Sequence, residues 1–323
     1  MKSLWKAKAL FAAAALTVMA ATHAAYPEKP IHLVVPFPPG GGTDATARLV
    51  ADAMSPLLGS NIVVENRAGA AGSIGAQHVA DAAPDGYTLF FATMGALVIN
   101  PYLYPNLRYD PIKDFTPIGT VGFSGNVLVV HPDVKAKSVK ELIELAKAAP
   151  GKYTYGSSGV GSSSHLAGVM LESLAGIELT HVPYKGSAPA VTDLVGGRID
   201  MMIDNIPSHV EFAKAGKVRP LAVSSIKPSP LFPGVPTMAE AGVEGYDVTI
   251  WYAILGPDGI PDEVTDKVSS ALKQVLEQPE MQEKLVRIGS DALIMAPDEF
   301  AAFIQKESEK WKKIVDQSGA AKP

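Results

Sequence analysis

The feature that most restricts this chain is a pattern repeated along its length. An apolar, β-rich stretch runs into a loop of small residues and then into a stretch with helical spacing. "IHLVVPF" passes through Gly40, Gly41 and Gly42 into "TDATARLVADAMSPLLG", and "NIVVENR" passes through "AGAAGSIG" into "AQHVADAAP". "YTLFFAT" passes through Met94 and Gly95 into "ALVINPYLY". "GKYTYGSSGVGSSS", "LTHVPYKGS" and "IDMMIDN" each lead into a helical stretch in the same way. Alternating strands and helices predict an α/β fold with mainly parallel sheets. Ligands of such sheets sit at the carboxyl ends of the strands, where these loops fall.

Two stretches interrupt the alternation. "IGTVGFSGNVLVVHP" (118–132) and "YDVTIWYAILGP" (246–257) are long, apolar and β-rich, with no helix between their halves. Each is expected to cross between lobes, so that residues 128–251 form a second lobe inserted into a first made of 25–127 and 252–323. Two crossing strands acting as a hinge let lobes close on a ligand. The Pro-rich "KPSPLFPGVP" (227–236) reads as a rigid surface loop, and "KESEKWKK" (306–313) as the solvated face of a terminal helix.

Residues 1–24 have the plan of a secretory signal peptide. Lys2, Lys6 and Lys8 precede the apolar "ALFAAAALTVMAA", and a small-residue cleavage site ends at Ala24. The alternative, a retained span, needs a longer apolar run than this one. Cysteine is absent, which excludes disulfides, thiolate metal sites, a cysteine nucleophile and a lipid-bearing cysteine. A free exported protein without disulfides suits the periplasm. The roughly 300 residues that remain are long for one core and natural for two lobes. The net charge of −5, with Lys and Arg scattered, argues against nucleic acid.

The glycine run invites a nucleotide reading. Gly40-Gly41-Gly42-Thr43-Asp44-Ala45 fits the looser dinucleotide fingerprint, and Glu65 closes the next apolar run where a ribose-binding acid falls. No phosphate-loop motif, G-x-S-x-G elbow or H-E-x-x-H helix accompanies it. The histidines are dispersed, and His165 and His181 fit packing roles as well as ligand roles. What remains is a set of helix starts preceded by Gly, Ser and Thr. Each offers unpaired backbone N–H groups and the positive end of a helix dipole, a site for a carboxylate as much as for a phosphate. Thr43, Ser158, Ser162 and Ser163 add hydroxyls. Any one such loop is equally an ordinary turn with its cap; several aimed into one cleft point to an anion. Asp44, in a first helical turn, reads as a cap or dipole partner. Asp204, at the end of "DMMID", either caps the helix near Pro207 or faces the cleft toward an ammonium group, a hydroxyl or water.

Taken together, "YPEKPIHLVVPFPPGGGTDATAR", "VENRAGAAGSIGAQHVADAAPDGYTLFFAT", "INPYLYPNLRYDPIKDFTPIG", "YGSSGVGSSSHLAGVML", "HVPYKGSAPAVTDLVGGRIDMMIDN" and "VPTMAEAGVEGYDVTIWYAILGPDGIP" resemble the Bug family. These are the extracytoplasmic solute receptors of tripartite tricarboxylate transporters. The resemblance implies a two-lobed, type II-like periplasmic binding protein, monomeric, with a small carboxylate or amino acid in its cleft and membrane permease subunits as partners. It implies no cofactor, no metal, no nucleic acid and no catalysis. It implies that the first strand–helix loop holds a ligand carboxylate, here Phe37, Pro39, Gly40, Gly41, Gly42 and Thr43, with Thr93 at the end of a neighbouring strand. From the second lobe it implies the loop Ser157, Ser158, Ser162, Ser163 and His165, the turn at Tyr184, Lys185 and Gly186, and Asp204. Met94 to Leu97 and Ile203 depart from the family pattern, and both departures are expected either to make the pocket wall more aliphatic or to be silent packing changes.

Two other classes stay in view. A secreted α/β enzyme, an esterase or an NAD-dependent oxidoreductase, would turn over an ester or NAD. A ligand-sensing adaptor would dock on a signalling partner instead of a permease, and its deletion would leave uptake unaffected.

Overall fold

The computed structural model describes residues 26–225 and 227–318. The expected signal peptide lies outside the described residues. Among the described residues, ten strands form two sheets that share one long strand. In the first, β1 (Ile31–Val35) lies between β2 (Ile62–Asn66) and β3 (Thr88–Thr93), parallel to both. The sheet continues antiparallel through β9 (Thr249–Pro257) to β4 (Phe115–Val130), with β10 (Ser290–Ala292) on the far edge of β4.

The second sheet begins on the same β4. Up to Gly125 this strand pairs with β9, and from Asn126 it pairs with β7 (Met201–Asn205). Beyond β7 come β5 (Thr154–Ser157) and β6 (Thr180–Pro183), parallel to one another, while β8 (Arg219–Val223) pairs antiparallel with the end of β4. Because side chains alternate along a strand, β4 feeds two cores. Val127 and Val129 join Leu194, Met202, Val223 and Phe232, whereas Leu128 and Val130 join the main core with Ile203 and Leu221.

The helices cover these sheets with one apolar stripe each. In α1 (Gly42–Leu58) the stripe is Ala47, Val50, Ala51, Met54 and Leu58, and Gly59 ends the helix in the left-handed region at φ 72°. Helices α2 (Ser73–Ala80), α3 (Asn100–Leu103) and α4 (Val139–Ala148) follow, then α5 (Ser163–Ala175), α6 (Ser187–Val195) and α7 (Val210–Lys214). The last three are α8 (Asp262–Leu276), α9 (Pro279–Arg287) and α10 (Pro297–Ser318).

Three sequence expectations need correction. The sheets are mixed rather than mainly parallel, because every pairing of the long β4, and that of β3 with β9, is antiparallel. The Pro-rich stretch 227–236 is not wholly a surface loop, since Phe232 is buried in the second core. Nor is 306–313 only a solvated face. Glu307 and Trp311 are one helical turn apart and both buried, and Glu307 Oε2 accepts from Trp251 Nε1 at 3.3 Å and Trp311 Nε1 at 3.2 Å. A charged side chain with two indole donors is satisfied inside the protein, which no charge count reveals.

Candidate ligand-binding site

The carboxyl end of β1 leads through Pro36–Pro39 into the glycine run, and Asp44 shapes that run. Its Oδ2 accepts from Gly40 N at 3.0 Å and from Arg48 Nε at 3.1 Å, and its Oδ1 accepts from Asn66 Nδ2 at 2.9 Å. The Asn66 amide also donates to Phe37 O, so both ends of the loop are tied to one place. Gly40 sits at φ 87°, a conformation L side chains rarely adopt. Gly41 is the N-cap of α1 without a side-chain cap bond, and a Cβ added there would meet nothing within 4 Å. Its backbone therefore borders open space.

Two more helix starts face this one from the second sheet. Ser162 caps α5, accepting from His165 N at 3.3 Å and donating to Gly159 O at 2.6 Å. Gly186 is the N-cap of α6 and, like Gly41, has no side-chain cap bond. Between them lies a cavity of about 390 Å³, lined also by Ile250 and Tyr252 of β9. Burial pushes the Tyr252 phenol up to about 12, against the opposing pull of the Thr43 and Ser124 side chains.

Phe37, Pro39, Gly40, Gly41, Gly42, Thr43, Thr93, Ser158, Ser162, Ser163 and Asp204 all line this cavity. Thr93 Oγ1 and Asp204 Oδ2 are buried there without a protein hydrogen-bond partner. Asp204 does not cap the helical turn at Pro207. Asn205 holds that cap position, and its Oδ1 accepts from Ser208 Oγ at 2.7 Å. Fully buried His209 stands behind Asp204, with Nε2 3.6 Å from Oδ2.

Three residues expected at the site lie outside the cavity wall. Ser157 is buried with its Oγ 2.6 Å from His181 Nε2. His165 accepts from Gly161 N at 3.1 Å through Nδ1 and stacks on His181 with ring centres 4.2 Å apart. Burial, then the neighbouring His181, lowers His165 to about 3, and burial lowers His181 to about 4. Tyr184 turns away and donates to Asp193 Oδ2 at 2.8 Å. These residues shape the serine loop from behind. Met94 does line the cavity, but Ile203 is buried in the main core and makes no wall more aliphatic.

Lys185, expected with its turn, lines the cavity; Ser187, Asn205, Ile250 and Tyr252 line it without having been singled out as contacts. The Lys-Gly-Ser loop carried a signal for Ser187. None existed for the β9 pair, because which face of that strand meets the cleft is a tertiary matter. Glu65, the acid of the nucleotide reading, is spent on His32 Nδ1 at 2.6 Å and Arg67 at 3.2 Å. Among the described residues no cluster of His, Cys, Asp and Glu could hold a metal ion, and no helix is long and apolar enough to cross a membrane.

Two sheets joined through one shared strand, with donor-rich helix starts facing each other across a cavity, define a two-lobed solute-binding protein. Comparison with known proteins narrows the class. Residues 46–320 match the tripartite tricarboxylate transporter family receptor, and the chain belongs to that family, in which the Bug proteins fall. It is 37% identical to Protein BugT of Bordetella pertussis over 91% of each chain. A solved R. palustris protein with adipate superposes with a TM-score of 0.87 at 37% identity, covering 91% of this chain and 98% of that one. MatC from Rhodopseudomonas palustris with bound malate gives 0.83 at 32%, covering 90% and 100%.

Proposed function

We propose that this protein captures a small organic acid between its lobes in the periplasm, after loss of residues 1–24, and hands it to the permease subunits of a tripartite transporter. The observation that carries the reading is the cavity where the starts of α1, α5 and α6 meet. First-turn N–H groups have no intrahelical acceptor, and a carboxylate satisfies them with the favourable end of the dipole. A hydrogen bond to a charged group contributes roughly 1.5–3 kcal/mol. Three or four of them, less the cost of ordering, suit micromolar capture at about 8 kcal/mol.

In this reading Gly40 to Thr43 hold one carboxylate, while Ser158, Ser162 and Ser163 close on the ligand from the other lobe. Thr93 and Asp204, with buried oxygens lacking protein hydrogen-bond partners, meet its donors or bridging water. Lys185, exposed at the cavity rim, adds attraction for a second acidic group. The pairing switch on β4 between Gly125 and Asn126 supports a lobe boundary near residue 127. The return, near residue 251, follows the entry of β9 into the first sheet at Thr249. Both walls come from one chain, which favours a working monomer. The ligand is captured and released without chemistry, by shifting an open–closed equilibrium.

The relatives with adipate and malate make aliphatic dicarboxylates the first class to test. A thermal-shift screen of residues 25–323 would compare mono-, di- and tricarboxylates, aromatic acids and amino acids, with NAD and ATP as controls. Ligand that binds the native state raises the melting temperature by mass action. A selective rise with an organic acid is expected. A rise with NAD or ATP alone would return the glycine run to its nucleotide reading.

A further inference from the structure

At the rim of the cleft, outside the residues that line the central cavity, the Tyr104 side chain reaches from lobe to lobe. Tyr104 follows α3 on the first lobe, and Val160 lies in the loop between β5 and α5 on the second. The Tyr104 hydroxyl donates to the Val160 carbonyl at 3.0 Å across a separation of 56 residues. The same loop presses against the first lobe at its next residue. A Cβ on Gly161 would come 2.8 Å from Leu103 Cδ1 and 3.2 Å from Ala71 Cβ. Ala71 meets it from a turn in which Ala70 and Ala71 hold φ 46° and 50°, a left-handed conformation costly for alanine.

We propose that Tyr104 is a latch that holds the closed cleft through Val160. The proposal rests on the two-lobe reading above. The loop it grips carries Ser158, Ser162 and Ser163 into the cavity, so holding Val160 holds the serine wall against the ligand. The loop transmits that hold because its lobe side is stiff: Gly161 N donates to His165, and Ser158 N donates to Ser164 Oγ at 2.9 Å. The other close rim approaches, Gly186 to Pro38 and Gly42 to Asn205, are van der Waals contacts between a glycine and a side chain. Tyr104 does not line the acid cavity and acts as a positioning residue. A bond made only when the lobes are closed stabilises only the closed state, and it appears in the rate of ligand departure.

The test compares Tyr104→Phe with Tyr102→Phe in residues 25–323. Tyr102 bonds Ser308 at 2.6 Å within the first lobe, so its loss reports a structural role alone. With adipate as the probe, or malate if adipate does not bind, Tyr104→Phe should raise the dissociation rate roughly two- to tenfold. The melting temperature of the unliganded protein should fall less than it does in Tyr102→Phe. Tyr102→Phe should lower that melting temperature and leave dissociation alone. Equal dissociation rates in Tyr104→Phe and wild type, or a loss of unliganded stability matching that of Tyr102→Phe, overturns the latch. The absence of cysteine allows paired spin labels at Lys113→Cys and Lys217→Cys, one on each lobe. If neither acid binds wild type, the ligand reading fails on its own. The latch is then read from the label distances without ligand, which Tyr104→Phe must lengthen; an unchanged distribution overturns it.

Discussion

Asp44 Oδ2 lies 3.0 Å from Gly40 N, so the acid after the glycine run reaches back and pins the start of the loop. Burial works against its charge, but the hydrogen bonds from Arg48, Gly40 N and Asn66 outweigh burial and hold the carboxyl below its usual 3.8. Asp44→Ala leaves those donors without their acceptor. We expect a stability loss of roughly 1–3 kcal/mol by denaturant titration. Acid affinity should fall more than about tenfold in calorimetry, because the cradle is no longer held. A folded variant with wild-type affinity would show that Asp44 does not shape the site. With the folded value depressed, this stability is present above pH 3.8 and is lost as pH falls through the lower folded value.

Gly41→Asp separates binding from folding. Position 41 is an N-cap with φ −86° and open space around its Cβ. Asp is among the best N-cap residues, so the variant should melt no lower than wild type. Its carboxylate occupies the same donors as a ligand carboxylate and repels it. Thermal shift by any organic acid should vanish. Retained shifts in a folded variant place the ligand elsewhere.

The stacked His165 and His181 predict an acid limit. Their folded values of about 3 and about 4 lie below the ordinary 6.5, so the unfolded chain takes up protons that the folded chain refuses. The contribution of this pair is fully present above pH 6.5 and falls as pH drops from there toward 4 and 3. His165→Asn retains an acceptor for Gly161 N and removes one titrating ring. Its melting temperature should fall less steeply between pH 6.5 and 4 than that of wild type. An unchanged slope assigns the acid sensitivity to other groups.

Asp204 tests what the cavity recognises besides a carboxylate. Asp204→Asn should weaken an amino-acid ligand strongly, tenfold or more by the roughly 1.5–3 kcal/mol of a charged hydrogen bond, and a simple dicarboxylate little. Parallel calorimetry with glutamate and adipate measures the difference. The reverse order would mean that this acid does not read an ammonium group.

Much of this was legible in the residues. Glycine and serine before helical spacing mark helix starts, and what such a start offers an anion is local backbone chemistry. For that reason Gly40 to Thr43 and Ser158 to Ser163 were legible as helix starts without a structure. The α/β alternation and the strand breaks at 118–132 and 246–257 were legible for the same reason, since strand and helix periods are written residue by residue. The direction of a side chain depends on distant chain, and there reading stopped. Ile250 and Tyr252 face the cleft while Trp251 binds Glu307 on the other face, a choice made by the register of β9 against β4. Ser157 and His165 sit in a serine-rich loop that reads as ligand-facing throughout, yet His181 draws Ser157 inward and stacks on His165. Tyr104 and Val160 meet only because the two lobes do. The sequence determined which segments become strands, helices and donor loops, because those preferences are local. Only the tertiary structure decided which donors converge, because convergence depends on packing between segments far apart in the chain.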